Sequence, residues 1–175
     1  PSRSNIIDIY ILTRNYDVAY RNFLSGASTK PEAPNSDDLR INFSGTLNSI
    51  KSISDEIIYH PVKYKVLFGQ TAEPKFQAEF KIVKNPNKLI NDNELKVRII
   101  NAINLFFDVN NWDFGDRFYI GELITYITTS VAPDISNMVI IPRQSSQTFG
   151  SLFEVQSANN EIFVSGASVD DVEIV

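Results

Sequence analysis

A chain of 175 residues with 43% hydrophobic and 21% charged side chains has the size and balance of one globular domain that buries a core without staples. Its formal charge of −5 and scattered Lys and Arg argue against a nucleic-acid partner, because phosphate binding needs clustered cations. The absence of cysteine excludes disulfides, Cys-ligated zinc, iron–sulfur clusters and thiol nucleophiles, and no apolar run approaches the ~20 residues that span a bilayer, so no membrane partner is expected. The chain begins at Pro1 with no charged segment followed by an apolar one, and reads as a mature product or an excised fragment.

Residues 5–12 (NIIDIYIL) are rich in Ile and Tyr and predict a strand buried on much of both faces. Residues 16–24 fit a short helix that gives way at Gly26, and Pro31 and Pro34 mark 26–36 as an exposed loop. Ser36 or Asp37 is placed to cap a helix running to about Ile53, with Leu39, Phe43, Leu47 and Ile50 on one face. A period-two reading of Leu39, Ile41 and Phe43 competes with it. The segment 56–68 is strand-like, broken or bulged at Pro61, and 69–74 is turn chemistry. Strict alternation through Phe76, Ala78, Phe80 and Ile82 predicts a half-buried strand, expected to pair with 56–68 as an antiparallel hairpin.

Asn91 followed by Glu94 resembles a capping box, and Leu95, Ile99, Ala102, Ile103 and Phe106 trace the buried face of the helix it starts. After a turn at 112–115, Ile120, Leu123, Ile124, Ile127 and Val131 trace a second helix that stops before Pro133. Residues 138–141 form a short strand, and 152–155 and 161–164 flank Asn159-Asn160 as a hairpin. The expected fold is α+β: a mixed β-sheet with two or three helices packed on one face and a C-terminal β-hairpin, in a single domain over 1–175 with a hairpin and tail at 149–175.

The parts of common active sites are missing. His60 is the only histidine, and nothing near it in sequence supplies the partner that general-base work needs. Asp108, Asn110, Asp113 and Asp116 form the densest oxygen cluster, but counting from Asp108 puts Trp112 fifth and Asp113 sixth, where an EF-hand loop wants a ligand and then a glycine. These residues read as an Asx-rich loop capping two helix ends. No glycine-rich nucleotide loop or nucleophile elbow occurs, so no catalytic residue, metal ligand or cofactor is assigned. A hydrolase using two carboxylates would show them roughly 5–10 Å apart in a cleft, one with a raised pKa.

From Leu95 onward a distinctive order emerges: an amphipathic helix ending in Phe106-Phe107, the turn Trp112-Asp113-Phe114-Gly115, an aromatic pair, a second helix with Leu123-Ile124 and Ile127, then Val131, Pro133 and a strand near Met138. This resembles the C-terminal part of the baseplate-wedge proteins of contractile-tailed, T-even-type bacteriophages, the baseplate-J-like group. The strand at 5–12 and the strands from Ile57 to Ile82 are similar to that family's core. Where the family has "V-x-G-V", this chain has Val131-Ala-Pro-Asp-Ile135, and the family's full-length members are several times longer. The resemblance implies a non-enzymatic structural domain that self-associates, as homodimer or ring contacts, binds other wedge subunits, and joins wedges into a ring around the tail tube. It also implies a place in the virion's tail baseplate, assembled in the host cytoplasm.

Surfaces for such contacts are expected at the aromatic residues Trp112, Phe114, Phe118 and Tyr119 of the turn, and at Phe149, Phe153 and Phe163 of the terminal hairpin. For Trp112 and its neighbours the commoner use of such residues, a core plug between two helices, is the favoured alternative. Gly115 is expected to supply a positive φ or a close backbone approach. Richness in Tyr and Asn supports a different reading, a carbohydrate- or receptor-binding module of a surface or tail protein.

Overall fold

The computed structural model describes residues 6–47, 56–144 and 149–175. They fall into two compact units, Pro1–Lys63 and Tyr64–Val175, where the sequence reading has a single domain.

In the first unit β1 (Ile6–Ile11) and β2 (Glu56–Pro61) form a two-stranded parallel sheet, Ile6 opposite Glu56 and Ile11 opposite Pro61. The burial expected on both faces of β1 is not found. Ile6 and Asp8 are exposed and the other positions are half-buried, because a sheet of two strands shelters little of either. Helix α1 (Arg14–Leu24) opens where the Thr13 hydroxyl accepts the Tyr16 N–H at 3.2 Å. It closes in a Schellman motif: Gly26, at φ +83°, donates to the Phe23 carbonyl, and Ala27 donates to that of Asn22. Tyr16 and Tyr20, one turn apart, are its buried face.

Helix α2 (Ser36–Phe43) is capped one residue earlier than expected. The Asn35 side chain accepts the Asp38 N–H at 2.8 Å and the Asp38 carboxylate accepts the Asn35 N–H at 3.3 Å, a reciprocal box that neither Ser36 nor Asp37 makes. The helix ends at Phe43, and the remainder of the helix expected to run to about Ile53 falls partly on residues 48–55, outside those described. Leu39 is fully buried while Ile41 is 77% exposed, so helical spacing prevails over period two.

The hairpin expected between 56–68 and 76–82 does not form. The break at Pro61 and Val62 separates β2 from β3 (Lys63–Leu67), and the two halves take different partners: β2 pairs with β1, and β3 pairs with β8 (Glu161–Ser165). Strand β4 (Ala78–Lys84) instead becomes the centre of a three-stranded mixed sheet. Its neighbours are β6 (Ile135–Pro142), antiparallel, and β9 (Val172–Ile174), parallel. The predicted alternation holds, with Ala78, Phe80 and Ile82 at 0% exposure on the inward face.

Two helices cover that face. Asn91 starts α3 (Asp92–Phe106) by accepting the N–H groups of Asn93 and Glu94, and α3 buries Leu95, Ile99, Ala102 and Ile103. Helix α4 (Ile120–Val131) buries Ile120, Leu123, Ile127 and Val131. The turn after α4 is tied back by Asn85, which donates to the Pro133 carbonyl at 2.8 Å, and by an Arg98–Asp134 ion pair. The expectation of α+β architecture, with helices on a mixed sheet, is met.

Both strands of the expected C-terminal pair are present, with a turn closed by the Glu161 N–H on the Ala158 carbonyl. Their ladder partners lie elsewhere: β7 (Glu154–Gln156) pairs with β5 (Arg117–Tyr119), and β8 with β3. The acidic tail enters the central sheet as β9, held by Arg143 on the nearly buried Asp171 carboxylate at 2.8 Å. The tail is therefore a constituent of the core and not an appendage, because Phe163 and Val172 fill it.

In the first unit the Tyr59 hydroxyl is buried with no hydrogen-bond partner among the described residues. A buried, unsatisfied donor costs about 1–3 kcal/mol. Tyr59→Phe is therefore predicted to leave stability unchanged or raise it by about 1 kcal/mol, as read from urea unfolding curves. A loss of stability would reveal a bond to that hydroxyl.

A candidate interaction groove beside the aromatic turn

The turn between α3 and α4 is built from aromatic rings. Phe107 lies at the end of α3, fully buried, with Trp112 stacked on it at 5.8 Å between centroids and 24° between planes. Phe118 meets Phe107 edge-on at 5.2 Å, and Phe163 meets both Trp112 and Phe118 edge-on at 5.2 Å and 89°. Phe68 joins this group to the sheet through contacts with Phe107 and Phe80. Such pairs each add about 0.5–1.5 kcal/mol beyond area burial.

Polar groups fix the turn. The Trp112 Nε1–H donates at 2.6 Å to the Phe106 carbonyl, one of those that the end of α3 leaves without a helical partner, and Asn111 Nδ2 joins the Asp108 N–H on the Leu105 carbonyl at 3.3 Å. Asp108 accepts the Asn110 N–H, and Asp116 accepts that of Asp113. The oxygen cluster thus closes two turns of the loop itself, and the expectation that it caps the two helix ends is not met, since α4 has no side-chain cap. Gly115 combines both properties anticipated for it. Its φ is +78°, and a Cβ there would stand 3.3 Å from the Asn159 side chain, where the Gly115 N–H bonds the Glu161 carbonyl.

Helix α4 has no side-chain cap at Tyr119. Its first donors are met by the backbone of the segment before β7: Ile120 N–H on the Phe153 carbonyl at 3.0 Å, and Gly121 N–H on that of Ser151 at 2.9 Å. This approach requires glycine, because a Cβ on Gly121 would sit 2.8 Å from the Ser151 oxygen. An open groove of about 810 Å3 runs beside the junction, lined chiefly by Phe106, Tyr119, Ile124, Tyr126 and Leu152. Glu122 is its one ionisable group besides the two tyrosines, and Leu152, 84% exposed, stands at its edge.

The seven aromatic residues expected at an interface separate accordingly. Phe118, Phe149 and Phe163 are buried in the core and offer no surface, which corrects their assignment as contact residues. Trp112 is half-buried and packs on the same core, as a plug. Phe114 is half-buried, Tyr119 lines the groove, and Phe153 is 42% exposed with its ring 4.8 Å from that of Phe149. Sequence reasoning missed Gly121, Tyr126 and Leu152. Tyr126 lies on the outward side of α4 among Glu122, Thr125 and Thr129, and an aromatic ring on that polar face is the signal that could have found it.

His60 does have a carboxylate partner, supplied by the neighbouring strand: Asp8 Oδ1 lies 2.8 Å from its Nε2, and Tyr10 stacks on its ring at 4.7 Å. The pair is partly exposed and lines neither the groove beside α4 nor the one between α1 and α2. Glu79 on β4 and Glu173 on β9 form a close carboxyl pair. A hydrogen bond with Glu173 raises the Glu79 pKa, aided by desolvation and by the neighbouring charge, and the same bond, with Lys81, lowers that of Glu173. Neither residue lines the groove beside α4 or the one between α1 and α2, so the pair lends the hydrolase reading, which wants its two carboxylates in a cleft, no support. Among the described residues no group of three or more His, Asp or Glu is placed to hold a metal, and no helix is long and apolar enough to cross a membrane.

No family model matches the chain, and no curated protein sequence is significantly similar to it.

Gly121→Ala tests how the groove is built. Helix propensity alone favours alanine by about 1 kcal/mol. The clash with Ser151 is predicted to reverse that into a net loss of about 1–3 kcal/mol. Gly150→Ala, where a Cβ meets nothing within 4 Å, should change stability by less than about 0.5 kcal/mol. Thermal and urea unfolding of the two variants side by side would decide; equal effects would refute the close approach.

Proposed function

We propose that this chain is a non-catalytic assembly domain of a contractile-tail baseplate wedge, contacting copies of itself and other wedge subunits through the groove beside α4. The observation that carries the reading is the groove itself: an open, mainly apolar channel with an exposed leucine at its edge, on the helix–turn–helix run that resembles the wedge family. Apolar surface of this kind, left in water on a folded unit, marks a contact site more often than a catalytic one. The wedge reading places the protein in the virion tail after assembly in the host cytoplasm, without nucleic-acid, membrane, metal or cofactor partners.

The test is association. Light scattering and native mass spectrometry on the whole chain, alone and with wedge subunits, should show self-association or capture of a subunit. Leu152→Glu with Tyr126→Ala should reduce that association at least tenfold while leaving circular dichroism unchanged. A strictly monomeric chain that also binds no wedge subunit, or association that survives the double variant, contradicts the proposal.

A further inference from the structure

We infer that the groove between α1 and α2, within the first unit, is a binding site for a neutral saccharide. It holds about 590 Å3, inside the ~300–1,000 Å3 range of small-ligand sites. Tyr16 and Leu39, both buried, belong to its lining, with the half-buried Phe43 ring beside them. Pro31 and Pro34 lie along one side, and their fixed φ keeps that wall in place without a ligand.

The polar side chains of this groove are not engaged with one another. Several charged and amide side chains of the unit bond to one another: Asp17 with Arg21, Asp37 with Arg40, Asp38 with Asn35, Asp8 with His60. Around the groove, Arg14, Asn15, Glu32 and Asn42 have no hydrogen-bond or ion-pair partner among the described residues. Two carboxamides, a guanidinium and a carboxylate offer donors and acceptors together. Adjacent sugar hydroxyls need that mixture, since each donates and accepts, while the C–H face of the ring packs on Phe43.

Charge narrows the class. One cation and one carboxylate cancel, so the groove has no net charge for an ionised ligand to neutralise. A phosphorylated ligand would want several Lys or Arg, and the Tyr16 N–H at the start of α1 is already taken by Thr13. The unpaired planar amides favour a polyhydroxylated ligand over an apolar one.

The experiment is a two-dimensional NMR titration of the full chain with glucose, galactose, N-acetylglucosamine and β-linked oligomers of each. At least one series should give saturable shifts confined to the groove, with affinity in the ~1 mM range of a single sugar contact. Asn15→Ala and Asn42→Ala, both exposed and unbonded, should keep the native spectrum and weaken binding about tenfold each, the loss of one hydrogen bond to a ligand. Arg14→Gln provides a third variant should either fail to fold. Leu152→Glu, in the other unit, should leave sugar binding unchanged, which separates this inference from the assembly reading. No shift with any of these sugars at tens of millimolar, unaltered binding in all three groove variants, or tighter binding of glucuronate than of glucose would overturn it.

Discussion

The packing of rings around Phe107 is the constraint on which the second unit depends. Phe107 is the C-cap of α3, and its neighbours come from the following turn (Trp112), from β5 (Phe118), from β8 (Phe163) and from the loop after β3 (Phe68). These contributors are spread over almost a hundred residues of chain. None of the small sheets they come from would be stable as an isolated strand pair, so the cluster and the two helices supply what the ladders lack. Phe68 even holds a left-handed backbone, φ +71°, at a typical cost of about 1–3 kcal/mol, to present its ring between Phe80 and Phe107.

The groove follows from the same arrangement. Because Phe163 and Val155 anchor the C-terminal segment in the core, the chain just before β7 is delivered to the start of α4, where its carbonyls take over the role of a helix cap. Gly121 permits that contact, and Leu152 is left projecting beside the outward face of α4. The aromatic turn therefore acts on the surface indirectly. It positions the groove without lining most of it, and Trp112 is spent on closing α3 and stacking on Phe107.

What was legible in the sequence was local. Alternation in β4, the three- and four-residue spacings of α3 and α4, and the Asn91 cap each depend on neighbours a few residues apart, and each appears where expected. Strand partners were not legible. The hairpin expected between 56–68 and 76–82 rests on pairing nearest neighbours in the chain, and it fails because Pro61 and Val62 split the segment between β1 and β8. The tail's weak alternation carried no sign that β9 would pair in parallel with β4. Burial of Phe118, Phe149 and Phe163 was hidden for the same reason: an aromatic side chain reads alike in a core and at an interface until its distant partners are known. His60 shows the converse, since its carboxylate partner lies 52 residues away on the neighbouring strand.

The central physical claim is that the C-terminal segment and the two long helices form one cooperative core through this cluster. Native-state hydrogen exchange on the intact chain, compared between the unsubstituted protein and Phe163→Leu, measures it directly. The account predicts that amides of α3, α4 and β8 share the highest protection and lose it together, by the same factor, in the variant. If β8 loses protection while α3 and α4 keep theirs, the C-terminal segment is an independent element and the account is contradicted.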